Sequence, residues 1–255
     1  MHTPDLGLAR TFVDQNPPPG ELLLCAITGS HHYGFPSPDS DLDIKGIHLA
    51  PLRAVLGLRE LPGAFDRLTV FEGVECDLTT NELGQALSLL LKGNGNMLER
   101  IESPYQVVQT AELAELRGLA RRSLSRRVFH HYAGYLRGMR REHQRPEVPR
   151  ANSLLYTYRV ALTGVHLLLT GEVVAHLPTL APKCGFGEVL ELVQRKVQTA
   201  EGVALSVAEA EHFRTPWPKL EAQLAEAREE SRLPDEPPNA AEVEQWLVDR
   251  RLSDV

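Results

Sequence analysis

Residues 21–51, ELLLCAITGSHHYGFPSPDSDLDIKGIHLAP, decide the fold. Pro17 to Pro19 and Gly20 break any helix before this stretch and lead into an apolar run of the kind that fills a buried strand. The strand stops at Gly29, where a Gly-Ser pair opens a loop carrying Gly34, Pro36 and Pro38. In DLDIKGIHL, Leu42, Ile44, Gly46 and His48 then alternate with Asp41, Asp43, Lys45 and Ile47. The alternation predicts a second strand with two aspartates on one face and Lys45 pointing the same way.

Working outward, residues 66–79 place Leu68, Val70, Val74 and Leu78 among polar neighbours, which predicts two further strands turning near Glu72-Gly73. Asp77 falls near the end of the second. From Asn81 to Lys92 the period changes: Leu83, Leu87, Leu90 and Leu91 mark one face of a helix that Gly93 and Gly95 should end. Beyond about residue 110 strand signals fade, and helical periodicity covers 111–124, 125–142, 152–171, 187–200 and 240–251. The expected class is α+β: a domain of small mixed sheet and flanking helices over residues 1–109, then an all-helical domain over 110–255, with the site in the cleft between them.

Composition bounds the function. An apolar content of 42% in 255 residues supports a folded core. No apolar run is long enough to span a membrane, and no basic leader precedes an apolar stretch, so the expectation is a cytoplasmic protein without a membrane partner. Cys25, Cys76 and Cys184 show no paired metal-ligand spacing and are expected to be buried free thiols; the histidines form no HExxH or HxxxH pair, so no zinc site is indicated. The net charge of −7 opposes wholesale nucleic-acid binding, but its distribution is uneven. Residues 117–150 hold ten arginines against two acids, whereas 201–255 hold thirteen acids against six basic residues, so an anionic partner is sought near the middle of the chain.

Asp41 and Asp43, two residues apart on a strand, share a face and can hold a divalent cation between them. A third carboxylate from an adjacent strand would complete a two-ion site; Asp77 is the candidate, with Glu75 on the same face as the fallback. Gly29-Ser30 at a strand-to-helix turn offers bare backbone N–H groups and a hydroxyl to a phosphate chain. Lys45 is a candidate for pairing with phosphate or neutralising Asp43. A lone Asp-x-Asp is weak evidence, since surface aspartates supply it by chance. The ordered set of apolar strand, Gly-Ser, loop, Asp-x-Asp and later strand acid is more specific.

The run GSHHYGFPSPDSDLDIKGIHLAP, 29–51, resembles the GSxxYG…SDxD signature of the nucleotidyltransferase family of the DNA polymerase β superfamily associated with RNA repair pathways. ECDLTTNELGQALSLLLKGNGNMLERIESP, 75–104, is similar to that family's strand acid, helix and asparagine-rich turn, with Asn94-Gly95-Asn96 where members usually show Asn-Pro-Asn. LLYTYRVALTGVHLLLTGEV, 154–173, resembles its helical segment with an inward arginine. The resemblance covers roughly residues 22–180. It implies a polymerase-β-like fold and transfer of a nucleoside monophosphate from a nucleoside triphosphate to an acceptor hydroxyl, RNA being one acceptor class. It further implies phosphate contacts from Gly29 and Ser30, magnesium or manganese held by Asp41 and Asp43, and Asp77 as a further ligand or as acceptor of the attacking hydroxyl's proton. Arg159 would meet the triphosphate from the helical side.

Other residues carry competing readings. His31, His32 and Tyr33 are candidates either for base or ribose contacts or for loop packing. Asn94, Asn96 and Glu99 read first as helix-end hydrogen bonders, and as acceptor contacts only through the resemblance. Arg121, Arg122, Arg126, Arg127, Arg137, Arg140, Arg141 and Arg145, near Tyr132 and Tyr135, suit a phosphate backbone, a solvated helix face, or the acidic C-terminal third as their own partner. Arg126 to His131 and Arg159 to His166 match a permissive helical-ribonuclease spacing. The rival functions are therefore a nucleotide- or RNA-binding protein without turnover, and a toxin–antitoxin-type component with a ribonuclease-like helical domain.

Overall fold

Asp5 starts the first helix by accepting a hydrogen bond from Leu8 N, which satisfies a donor that the helix cannot use internally. The computed structural model describes residues 3–58, 60–143, 150–199 and 204–253. In chain order the elements are α1 (Leu6–Gln15), β1 (Glu21–Ile27), α2 (Gly29–Tyr33), β2 (Leu42–Leu49), α3 (Leu52–Val55), β3 (Ala64–Phe71), β4 (Val74–Glu82), α4 (Leu83–Leu91), α5 (Gly95–Glu102), β5 (Gln106–Gln109), α6 (Glu112–Arg122), α7 (Val128–His143), α8 (Ala151–Thr170), α9 (Leu177–Lys183), α10 (Val189–Gln198), α11 (Val207–Arg214), α12 (Trp217–Glu230) and α13 (Ala240–Leu252). They gather into two compact units, one of Pro4–Gly29, Asp41–Leu124 and Glu236–Val255, the other chiefly of Ser30–Ser40 and Ser125–Asp235.

The first unit is built on a five-stranded mixed sheet of order β3-β4-β2-β1-β5. β1 runs antiparallel to β2 and β5, β3 antiparallel to β4, and β2 parallel to β4. The expected hairpin is present: Glu72 (φ 49°) and Gly73 (φ 85°) make the two-residue turn whose twist suits antiparallel strands. One face of the sheet buries Cys25, Ile27, Leu42, Ile44, Cys76 and Leu78 against Ala9, Phe12 and Val13 of α1. Alternation therefore turns Asp43, Lys45, Asp77 and Thr79 to the opposite face. Arg250 of α13 pairs with Glu21 and Glu112, and Arg251 with Glu82, fastening the last helix to this unit.

The second unit is helical and centred on α8. Leu154, Leu155, Tyr158, Leu162 and Leu168 are all buried on that helix, as expected of a helix covered on every side. Tyr158 Oη donates to Phe213 O at 2.7 Å, so the buried phenol is satisfied. Tyr33 and Phe35, from the segment after the Gly-Ser pair, pack their rings against Tyr156 at centroid distances of 5.6 and 5.5 Å.

Several elements differ from the sequence reading. α1 occupies the short opening segment, to which the sequence reading gave no element, and α9, α11 and α12 lie outside the periodic segments. β5 forms just before the point where strand signals fade, in a stretch to which the sequence reading gave no element, because the edge of β1 pairs with it. β4 continues to Glu82, so Asn81 lies on the strand and Glu82 caps α4. Gly93 (φ 74°) ends α4, but Gly95 begins α5 instead of terminating its predecessor.

Candidate functional site

Parallel pairing sets Asp43 of β2 opposite Asp77 of β4, and Lys45 opposite Thr79. Two carboxylates in register on neighbouring strands repel each other unless a cation stands between them. Lys45 supplies that charge. Its Nζ donates to Asp77 Oδ2 at 2.6 Å, lies 3.3 Å from both Asp77 O and Thr79 Oγ1, and is 3.7 Å from Asp43 Oδ1. The side chains of Lys45, Asp43 and Asp77 keep 18%, 23% and 36% of their surface, so the cluster is reachable from solvent.

Asp41 directly precedes β2 and shares the face of Asp43, but it makes no ion pair among the described residues. Its charge reaches Cys76: burial, and then Asp41, push that thiol above its usual range. Glu75 is exposed on β4, two residues before Asp77 and on the same face. Cys25 is buried, with its thiol pushed up to about 12 by desolvation, Cys76 is buried, and Cys184 is only partly covered. Such raised thiols are inert.

Gly29 adjoins the cluster. Its φ is +61°, and a Cβ built there would sit 1.8 Å from Asp43 Oδ2, so only glycine lets the backbone approach the carboxylate this closely. Thr28 N, one residue earlier, donates to Asp43 O at 2.8 Å and fixes the turn to β2. Ser30 belongs to the other unit and is buried; its Oγ donates to Ser40 Oγ at 3.1 Å, which also accepts from Ser37 N at 2.9 Å. Arg159 is buried on α8 with its guanidinium carbon 3.9 Å from the centre of the Tyr33 ring. Asp43, Lys45, Asp77 and Gly29 thus come together within one unit, with Asp41 next on the same face, while Ser30 and Arg159 are held by contacts within the other.

Arg100 was not singled out by the sequence. It is buried on α5 and donates through Nη1 to Gly46 O at 2.6 Å and Asn81 Oδ1 at 2.7 Å, tying β2 to β4. The sequence carried no signal for it, since the consecutive burial of Met97 to Ile101 is seen only in the structure. Asn94 caps the start of α5, accepting from Met97 N at 3.2 Å; Asn96 is exposed and Glu99 buried.

The arginine-rich segment meets acids. Arg121 pairs with Glu102, Arg122 with Glu242, Arg126 with Asp235 and Arg140 with Glu221, so the acidic C-terminal third does supply partners. Arg137 and Arg141 are exposed, and Arg145 lies outside the described residues. Tyr132 is buried and Tyr135 exposed; His131 lies against both rings, and His166 is 3.9 Å from Glu172.

Among the described residues no three His, Cys, Asp or Glu side chains are arranged to hold an ion as they stand. The donor chemistry nonetheless fits a hard divalent cation. Carboxylate oxygens of Asp43 and Asp77 face a common position, and that position already holds the positive charge of Lys45. No helix of the described residues is long and apolar enough to cross a membrane.

A family model described as RlaP, the RNA repair pathway DNA polymerase beta family, matches residues 8–249. The uncharacterized protein MJ0002 of Methanocaldococcus jannaschii is 28% identical over 160 residues, which are 59% of this chain and 61% of that protein, so the match spans about three fifths of the relative's length. A nucleotidyltransferase-like protein from Exiguobacterium sibiricum 255-15 aligns over 97% of this chain and 76% of its own at 10% identity, with a TM-score of 0.34, a likeness too loose to carry an argument.

Proposed function

Since the chain belongs to the RNA repair pathway DNA polymerase beta family, we propose that it is a metal-dependent nucleotidyltransferase that moves a nucleoside monophosphate from a nucleoside triphosphate to an acceptor hydroxyl, RNA foremost. The observation that carries this reading is the register pairing of Asp43 with Asp77, with a positive charge held between them and Gly29 against one of them. Magnesium or manganese, when bound, supplies Lewis-acid charge to the phosphate oxygens. Asp43 and Asp77, with Asp41 beside them, are the residues that would hold it.

The chain's own part in the reaction is placement and proton handling. The acceptor oxygen forms a bond to the α-phosphorus, and the bond from that phosphorus to the pyrophosphate oxygen breaks. The hydroxyl proton passes to a carboxylate, for which Asp77, the most exposed of the cluster, is best situated. Gly29 keeps the backbone low beside Asp43, leaving room for phosphate oxygens. Lys45 offers an ammonium to the departing pyrophosphate, and Ser30 and Arg159 are further phosphate ligands by family resemblance. The cellular site of action in this proposal is the cytoplasm.

The test is incubation of the full chain with each α-labelled nucleoside triphosphate, magnesium and a pool of RNAs. Label transfer to RNA is expected, and Asp43→Asn or Asp77→Asn should lower it by about 10³-fold or more, since each removes a group acting in the transition state. Triphosphate binding with no transfer to any acceptor would instead support a binding protein. RNA cleavage abolished by changes at His131 or His166 would support a nuclease.

A further inference from the structure

Lys45 has three N–H donors, and all of them point at this cluster: Asp77 Oδ2, Asp77 O and Thr79 Oγ1 lie at 2.6, 3.3 and 3.3 Å, with Asp43 Oδ1 at 3.7 Å. In this position the ammonium has nothing left to offer a phosphate. It also stands at the point toward which both carboxylates present their oxygens, the point a divalent cation would need.

We infer that Lys45 is an exchangeable counter-ion of the Asp43–Asp77 pair, released from it when a divalent cation binds and only then free to contact the triphosphate. The inference rests on the metal-dependent reading above and adds an order of events to it. Two cations cannot share one small set of oxygens, because their repulsion adds to the loss of ligands. The carboxylates face each other in register, so the departing ammonium's charge is best replaced by that of the arriving cation. A lysine suits the exchange: its charge is compact and sits on a flexible four-carbon stem, whereas a planar arginine fork would hold the carboxylates bidentately. Lys45 thus offsets part of the pair's negative charge before loading and, once displaced, is already within reach of a nucleotide bound over β2. The protein should engage the phosphate chain tightly only after the cation has arrived.

Manganese binding to the ligand-free full chain, followed by electron paramagnetic resonance, tests the exchange in the native sequence, Lys45→Met and Lys45→Arg. If the ammonium holds the pair about nine-tenths of the time, its removal should raise manganese affinity about tenfold, because only the fraction of sites clear of the ammonium binds. Lys45→Arg should bind no more tightly than the native chain. Equal or weaker binding by Lys45→Met overturns the exchange while leaving metal-dependent transfer standing. Absence of manganese binding from every chain overturns both.

A second measurement needs no substitution. Reductive methylation with formaldehyde and a borane hydride donor, mapped by peptide mass spectrometry, should modify Lys45 faster once magnesium is added, with exposed Lys92 as the internal reference. An unchanged ratio of Lys45 to Lys92 modification overturns the exchange.

Discussion

Replacing Gly29 by alanine separates the backbone's role at the site from its role in the fold. A non-glycine residue at φ +61° costs about 1–2 kcal/mol in the left-handed region, partly offset by the lower entropy of the unfolded alanine chain. The added methyl also sits 1.8 Å from Asp43 Oδ2, where ordinary contact begins at 3.4 Å, so the carboxylate must retreat by roughly 1.6 Å. A misplacement of about 1 Å at a reacting centre costs about 10²-fold in rate, so Gly29→Ala should transfer nucleotide at least about 10²-fold more slowly. Gly73→Ala is the matched control. Its φ is +85°, and its methyl would meet nothing within 4 Å, so it carries the backbone cost alone. Both variants should lower the urea midpoint, Gly73→Ala by the equivalent of about 1 kcal/mol and Gly29→Ala by more. Single-turnover transfer with a labelled triphosphate, alongside manganese binding, reads the site itself. If Gly29→Ala transfers as fast as Gly73→Ala, the close approach to Asp43 has no catalytic purpose and the placement argument fails.

Two further outcomes follow from the same unit. Glu82 is buried, caps α4 by accepting from Gly84 N at 2.7 Å, and accepts from Arg251 Nη2 at 2.8 Å. Glu82→Ala removes the cap and strands a largely covered guanidinium, so urea unfolding should show a loss of about 2–4 kcal/mol, and an unchanged midpoint would refute the clamp. His48 is buried with Nδ1 2.8 Å from Thr80 Oγ1, and burial lowers its pKa below 6.5 despite the opposing pull of Glu82. The folded state then binds fewer protons than the unfolded one. The contribution of His48 is full above 6.5 and declines as pH falls through the folded value, so the urea midpoint should drop on acidification with a slope that His48→Gln reduces. Equal slopes would refute it.

The parts of the fold that were legible share one property: their signal is local. β2 announces itself because Leu42 and Ile44 alternate with Asp43 and Lys45, and the hairpin because Glu72-Gly73 separates two alternating runs. β5 was illegible because QVVQ has no pattern of its own and is a strand only by pairing with β1. The same holds for the segment after Gly29. Its prolines and glycines read as a loop, and nothing near it in sequence shows that Tyr33 and Phe35 pack against Tyr156, more than a hundred residues away.

The site was legible to the same depth and no further. Alternation put Asp41, Asp43 and Lys45 on one face and Asp77 on a strand, but could not say that β2 and β4 are parallel neighbours with Asp43 opposite Asp77. The core enforces that register. Cys76 and Leu78 are buried against α1 on the other side of the sheet, and a slip of one residue along β4 would send both to solvent and bury Asp77 in their place. Arg100 adds a second lock by joining Gly46 of β2 to Asn81 of β4. The carboxylate pair is therefore aligned by residues to which the sequence reading gave no part in the site. A substitution such as Cys76→Asp should disable transfer as fully as loss of Asp77 itself, because it removes the apolar preference that decides which side of β4 faces the reaction.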